Sequence, residues 1–218
     1  MSYDVNENIN INAGGEYYTD EASYYNTDVP DESFASGDLD VAYSQSSGYL
    51  QVLLKNKIAN LTLGGRVINH SAFGTAFAPR AGLTKAFDKL HFKLLYSQAF
   101  RAPSIINIDW NAEIKPEQTQ VIEAEVGYVL SDKMQVTVNV FDITIDDPIV
   151  YFYDVDLDVE GYDNFTTTGT QGIELDYRFK ETWGYASVHY SFNTAANKNT
   201  VDYYASANTD AVMIGMPQ

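Results

Sequence analysis

The chain has 218 residues, a formal net charge of −17 at pH 7, 45% hydrophobic residues and no cysteine. That charge excludes a nucleic-acid or anionic-lipid surface binder, which needs clustered Lys and Arg to displace counterions. The missing cysteines exclude disulfide frameworks, thiolate metal centres and cysteine nucleophiles, and no apolar run approaches the roughly 18 residues that a membrane helix requires.

Along the chain, Met1-Ser2-Tyr3-Asp4-Val5-Asn6-Glu7 has neither the basic nor the apolar region of a signal peptide, so the expectation is an internal piece of an exported chain. Period-two alternation then recurs, with one face apolar throughout. It begins with Ile9, Ile11, Ala13 and Tyr17 between Asn8, Asn10, Asn12 and Glu16. Strands follow at 48–56 (Leu50, Val52, Leu54), 58–68 (Leu61, Leu63, Val67), 79–87 and 89–98 (Leu90, Phe92, Leu94, Tyr96). Later come 119–130 (Ile122, Ala124, Val126, Tyr128), 133–145 (Met134, Val136, Val138, Val140), 170–180 (Ile173, Leu175, Tyr177, Phe179) and 183–193 (Ala186, Val188, Tyr190, Phe192).

The opposite faces carry Arg66, His91, Lys93, Glu123, Glu125, Glu174, Asp176, Arg178 and His189, an unsuitable lining for a dry core but a suitable one for a watery lumen. Tight turns are expected at 55–57, 87–89, 130–133 and 180–182, and long connections at 19–47, 69–78, 99–117, 146–168 and 194–214. Short turns at one end and long loops at the other are the pattern of an outer-membrane barrel. The expected fold is therefore all-β, an antiparallel up-and-down transmembrane β-barrel fragment of about nine strands. It is not closed, and its open edges lie at 8–18 and 184–193. After Val140 the apolar phase shifts to Phe141, Ile143 and Ile145. Either a bulge or the membrane boundary explains this; without a bulge, Asp142 faces lipid.

Four motifs stand in order: Pro79-Arg80-Ala81-Gly82-Leu83, Phe100-Arg101-Ala102-Pro103-Ser104, Lys115-Pro116-Glu117-Gln118-Thr119 followed by Glu125-Val126-Gly127, and Thr168-Gly169-Thr170-Gln171-Gly172-Ile173-Glu174. Together they resemble the barrel of TonB-dependent outer-membrane receptors, and the resemblance covers most of the chain. It implies a Gram-negative outer-membrane location and TonB-driven uptake of a scarce large nutrient of the siderophore-iron, corrinoid or glycan class. It further implies one barrel domain over residues 1–218, with the plug, and through it contact with the TonB complex, absent from this stretch. Pro79, Arg80, Gly82, Phe100, Arg101, Pro103, Pro116, Glu117, Glu125, Gly127, Gly169, Gly172 and Glu174 are then structural, with Arg80 and Arg101 paired in the lumen or at a loop base. The expected partners are outer-membrane lipid and a nutrient at the extracellular loops, and no nucleic acid. A passive porin and a soluble β-rich binding module are the competing readings.

Enzymatic chemistry finds little support. His70, His91 and His189 lack metal-ligand spacing, no phosphate-binding glycine loop follows a strand, and Ser187 with His189 is a spacing common by chance. Neither cofactor nor metal is expected. The run from Asp154 to Glu160 lacks the glycine of a hand-type calcium loop and reads as a loop hairpin with one acidic edge. Segments 19–47 and 144–170 hold 7 acidic residues each and neither Lys nor Arg. Aromatic residues crowd the loop bases, where Tyr24, Tyr25, Phe73, Trp110, Tyr151 and Tyr153 are the candidate ligand contacts and an interfacial aromatic girdle is the structural alternative.

Overall fold

The computed structural model describes residues 1–24, 33–154, 158–165 and 167–195; Tyr25 and most of the connection after residue 194 lie outside them. The strands are β1 (Ser2–Asn6), β2 (Ile9–Ser23), β3 (Asp40–Leu54), β4 (Asn60–His70), β5 (Gly74–Ala86) and β6 (Leu90–Arg101). A short helix, α1 (Ile105–Trp110), precedes β7 (Glu117–Ser131) and β8 (Met134–Asp146). There follow β9 (Ile149–Asp154), β10 (Val159–Asn164), β11 (Thr167–Glu181) and β12 (Gly184–Thr194). Ten strands form one antiparallel sheet in the order β1-β2-β3-β4-β5-β6-β7-β8-β11-β12, while β9 and β10 form a separate hairpin. The strands expected on either side of each tight turn, 48–56 with 58–68, 79–87 with 89–98, 119–130 with 133–145 and 170–180 with 183–193, pair in this up-and-down order.

The count exceeds nine because Ser2–Asn6 folds back on β2, pairing Ser2 with Asn12 and Tyr3 with Ile11. The first edge is therefore covered up to Ala13, whose backbone also bonds Met1, and only its upper part is open among the described residues. A second correction concerns 69–78. Instead of a long loop, β4 and β5 pair to their ends, His70 opposite Gly74, leaving a three-residue turn. The long connections, each at one end of the sheet, are 24–39, 102–116 and the segment containing the β9–β10 hairpin.

Alternation places Leu94, Val126 and Val188 on one face, each at least half exposed, with no second layer of the protein over them. On the other face Lys93 stands opposite Glu125, and His189 opposite Asp176, and His91, Glu123, Glu125, Thr137, Glu174 and Asp176 line one recess. Charge pairs fill it: Lys93 with Glu123 at 2.6 Å, His91 with Glu125 at 3.3 Å, and Asp176 with Arg178 at 2.9 Å and His189 at 2.6 Å. A single-layer wall with an apolar outside and a charged inside suits hydrocarbon on one side and water or protein on the other.

The phase shift after Val140 is resolved by the ladders. Between Phe141 and Asp146, β8 pairs without a bulge on either side, so Asp142 does face outward, between Ile122 and Gln171. Gln98 pairs with Gln120 and Gln120 with Thr144 on the same outward face. This polar belt is the membrane boundary. From Met134 to Asp142 the strand rises about 27 Å at ~3.4 Å per residue, and a tilt of 35–45° reduces that to about 20 Å, near the height of an outer-membrane apolar band.

The hydrophobic side chains buried among the described residues are Phe34, Ile68, Ile114, Ile149 and Ala195, all at the loop end. The wall has no core of its own, and what core exists lies beneath the loops.

Two motif glycines have steric reasons. Gly169 has φ +158, and an added Cβ would strike the Ile143 carbonyl; at Gly172 it would meet the Phe192 carbonyl at 2.6 Å and the Phe141 ring at 2.7 Å. Gly82 has only ordinary contact, 3.6 Å to Leu95. Gly169→Ala should therefore lower unfolding free energy in detergent by about 2 kcal/mol or more, whereas Gly82→Ala stays within about 0.5 kcal/mol. Equal midpoints for the two variants in denaturant titrations would remove this account of the motif.

Candidate ligand-binding site at the loop end

Where β6 ends, Arg101 lies opposite Glu117, the first residue of β7. The guanidinium binds the carboxylate twice, Nε at 2.5 Å and Nη2 at 2.7 Å, and also donates to the Ile149 carbonyl at 3.2 Å. Glu117 accepts from the Ile149 N–H at 2.8 Å. Two wall strands and the foot of the β9–β10 hairpin thus share one charge-assisted junction. Arg80 lines an inward recess with Arg66, itself held by Glu16 at 2.6 Å, and among the described residues it makes no ion pair.

Pro103 and Ser104 turn the chain from β6 into α1. Ser104 caps the helix, accepting from the Asn107 N–H at 3.3 Å while Asn107 accepts from the Ser104 N–H at 2.9 Å. Asn164, ending β10, reads the backbone of Lys115 in both directions, accepting from its N–H at 2.7 Å and donating to its carbonyl at 3.0 Å. It donates as well to the Asp147 carbonyl at 2.7 Å. Asn111 donates to the Tyr162 carbonyl at 3.1 Å. Helix and hairpin are consequently tied into one unit.

On that unit, Trp110 and Tyr162 lie with ring centroids 5.6 Å apart, and Tyr162 meets Tyr151 edge-on at 5.6 Å. Trp110, Tyr151 and Tyr153 keep 37–43% of their surface exposed. The Tyr153 hydroxyl donates to Asp158 at 2.7 Å and that of Tyr151 to Glu160. These bonds to carboxylates push both phenols above their ordinary value, Tyr151 to about 12.

Of the other sequence candidates, Tyr24 packs edge-on against Phe34 at 4.7 Å and Phe73 stacks on His70 at 4.1 Å, and beside the first pair the Ala35 N–H donates to Asp109 of α1. Trp110 and Tyr151 are thus brought together, Tyr153 lies on the same hairpin, and Tyr162 and Asn164 are participants that sequence reasoning passed over. Glu125 and Glu174 face the lumen, Glu174 accepting from Asn139 at 3.4 Å, and the His91 ring lies over Gly127. Pro79 stands where the β5–β6 ladder stops, since that ladder starts at Arg80. Phe100 pairs with Gln118 on the outward side, and Pro116 directly precedes β7. No metal-binding group occurs among the described residues.

Removing the junction gives a measurable loss. Arg101→Met should raise amide exchange in 149–154 and 159–164 severalfold while the wall keeps its protection. Exposure of the Arg101 side chain at 60% limits the cost to about 1 kcal/mol. Unchanged exchange in the hairpin would disprove the coupling.

A one-layer wall, apolar outside and charged inside, with loops folded over one end, is the architecture of a segment of an outer-membrane barrel. The chain belongs to the TonB-dependent receptors: the family model "TonB dependent receptor-like, beta-barrel" matches residues 1–215. Among solved structures it is similar to the siderophore receptor PirA from Acinetobacter baumannii, with TM-score 0.75 and 14% identity over 92% of this chain and 36% of that one. It is also similar to a mutant of the ferric enterobactin receptor PfeA from Pseudomonas aeruginosa, with TM-score 0.69 and 13% identity over 84% of this chain and 33% of that one. The FrpB iron transporter from Neisseria meningitidis follows, with TM-score 0.66 and 16% identity over 88% and 34%. The chain thus spans about a third of the length of these structures, and their low identity speaks for the fold alone. No curated protein sequence matches significantly.

Proposed function

We propose that the chain is part of the barrel of a TonB-driven uptake receptor whose cargo is an iron chelate of the siderophore class. The plug and its TonB contact would come from outside these residues, and the barrel would carry out no catalysis of its own. Its share of the work is twofold. The charged inner face holds the lumen filling, and the loop end presents Trp110, Tyr151 and Tyr153, joined by Tyr162, to cargo arriving from outside. Tyr24, Tyr25 and Phe73 are secondary contacts in this reading, and the motif residues from Pro79 to Glu174 hold the wall and loop bases.

The observation that carries the proposal is the fixed aromatic platform, tied to the wall by Arg101, Glu117 and Asn164. Rings held in place lose little entropy on binding a flat or chelated ligand. The fold shared with siderophore and iron receptors supports this choice among the cargo classes. The test is growth and chelate uptake in the native host with the gene deleted and restored. Iron-limited growth and uptake of at least one ferric chelate should depend on the gene and on Trp110. Dependence of corrinoid or glycan uptake instead, with iron uptake intact, would replace the cargo assignment.

A further inference from the structure

The loop end has a charge character that constrains what it admits. The segments 105–116 and 149–164, which contain the aromatic platform, also contain Asp109, Glu113, Asp158, Glu160 and Asp163, and segment 144–170 contains neither Lys nor Arg. Among the described residues, two cations exist nearby. Arg101 is consumed by Glu117 and the Ile149 carbonyl, and Lys115 is a single ammonium against the five carboxylates just named. The Tyr151 and Tyr153 hydroxyls donate to Glu160 and Asp158, so they offer no free donor to an anion. A phenol hydrogen-bonded to a carboxylate has a more electron-rich ring, which strengthens its attraction for a cation over its face.

Resting on the receptor reading above, we infer that this loop end is a cation-selective docking surface: it takes a cargo bearing a positively charged group that sits over Trp110, Tyr151 and Tyr162, and it repels polyanionic chelates. Two features act together. Carboxylates within about a Debye length, ~8 Å at physiological salt, set a negative local potential, and exposed ring faces give a desolvated cation a direct seat. Among the described residues, an anionic cargo meets the potential with Lys115 as the one uncommitted cation nearby.

The test requires no knowledge of the cargo. In the intact receptor, made otherwise cysteine-free, a single thiol is placed by Ile106→Cys, an exposed position on α1 outside the platform. Its modification rates are measured with a trimethylammonium-bearing methanethiosulfonate and with the sulfonate-bearing counterpart. In both the thiolate attacks the thiosulfonate sulfur and methanesulfinate leaves, so only the reagent charge differs. The cation-to-anion rate ratio, divided by that of a small free thiol, should be about tenfold at low salt and fall toward unity near 0.5 M salt. Trp183→Cys at the short-turn end should stay near unity, and Asp158→Asn with Glu160→Gln should lower the Ile106→Cys ratio. A corrected ratio below about threefold at Ile106→Cys, or an equal preference at Trp183→Cys, overturns the inference. Labelling is independent of transport, so a failed iron-uptake assay would leave this result standing, and a failed labelling result would leave the uptake assignment standing.

Discussion

Val126→Arg should abolish accumulation of the receptor in the outer membrane, or reduce it to a small fraction, while Thr137→Lys should leave assembly near normal. Val126 is half exposed at the middle of the outward apolar run from Ile122 to Leu130, with no protein layer over it. A guanidinium there must be taken into hydrocarbon, at a cost of about 2–4 kcal/mol near the bilayer midplane. Thr137 lies on the other side of the wall, opposite Gly127 and Asp176, and lines the recess with Glu125 and Glu174. A lysine there gains carboxylate neighbours in a wet environment. Heat-modifiable migration and urea titration of the two variants provide the comparison. Equal destabilisation, or a greater loss from Thr137→Lys, would reverse the assignment of inside and outside.

The second large effect is expected of residues 1–218 expressed alone, which should require detergent or aggregate, and should give no defined conductance in planar bilayers. Among the described residues, β2 has no outer partner above Ala13, and β12 has none beyond β11. Each open edge offers a row of backbone donors and acceptors, costing several kcal/mol apiece in lipid and inviting strand pairing with other chains in water. Supplying the remaining strands and the plug should restore a discrete folded species. A soluble monomer that melts cooperatively would mean that the apolar face is buried within the protein, contrary to its exposure here.

Strand identity and phase were legible wherever lipid and lumen impose opposite chemistry on alternate residues. Leu94, Val126, Val138, Leu175 and Val188 fall on the exposed outward side as expected. Legibility ended at the polar belt. Above it both faces of a strand meet water or loops, so the alternation fades, and residues such as Asn69 and Thr75 read as loop although they pair and share a hydrogen bond of 2.9 Å. Asp142 was ambiguous for the same reason, since the sequence contains no marker of depth. At the site, composition singled out Trp110 and Tyr151, but Asn111 and Tyr162 are 51 residues apart, and Asn164 and Lys115 are separated by 49. Contacts across such distances leave no local pattern. Helix α1 was missed because six residues carry too little periodicity to separate from a loop.

The Asn164 side-chain amide holds Lys115 through the main-chain atoms of Lys115, and the hairpin foot at Ile149 is likewise gripped through its N–H and carbonyl. A fastening that makes no demand on side-chain identity lets the fastened residues change without loosening. The platform residues can then diversify while their mounting stays put, so that new cargo preferences can be explored at little risk to the wall that must remain sealed in the membrane.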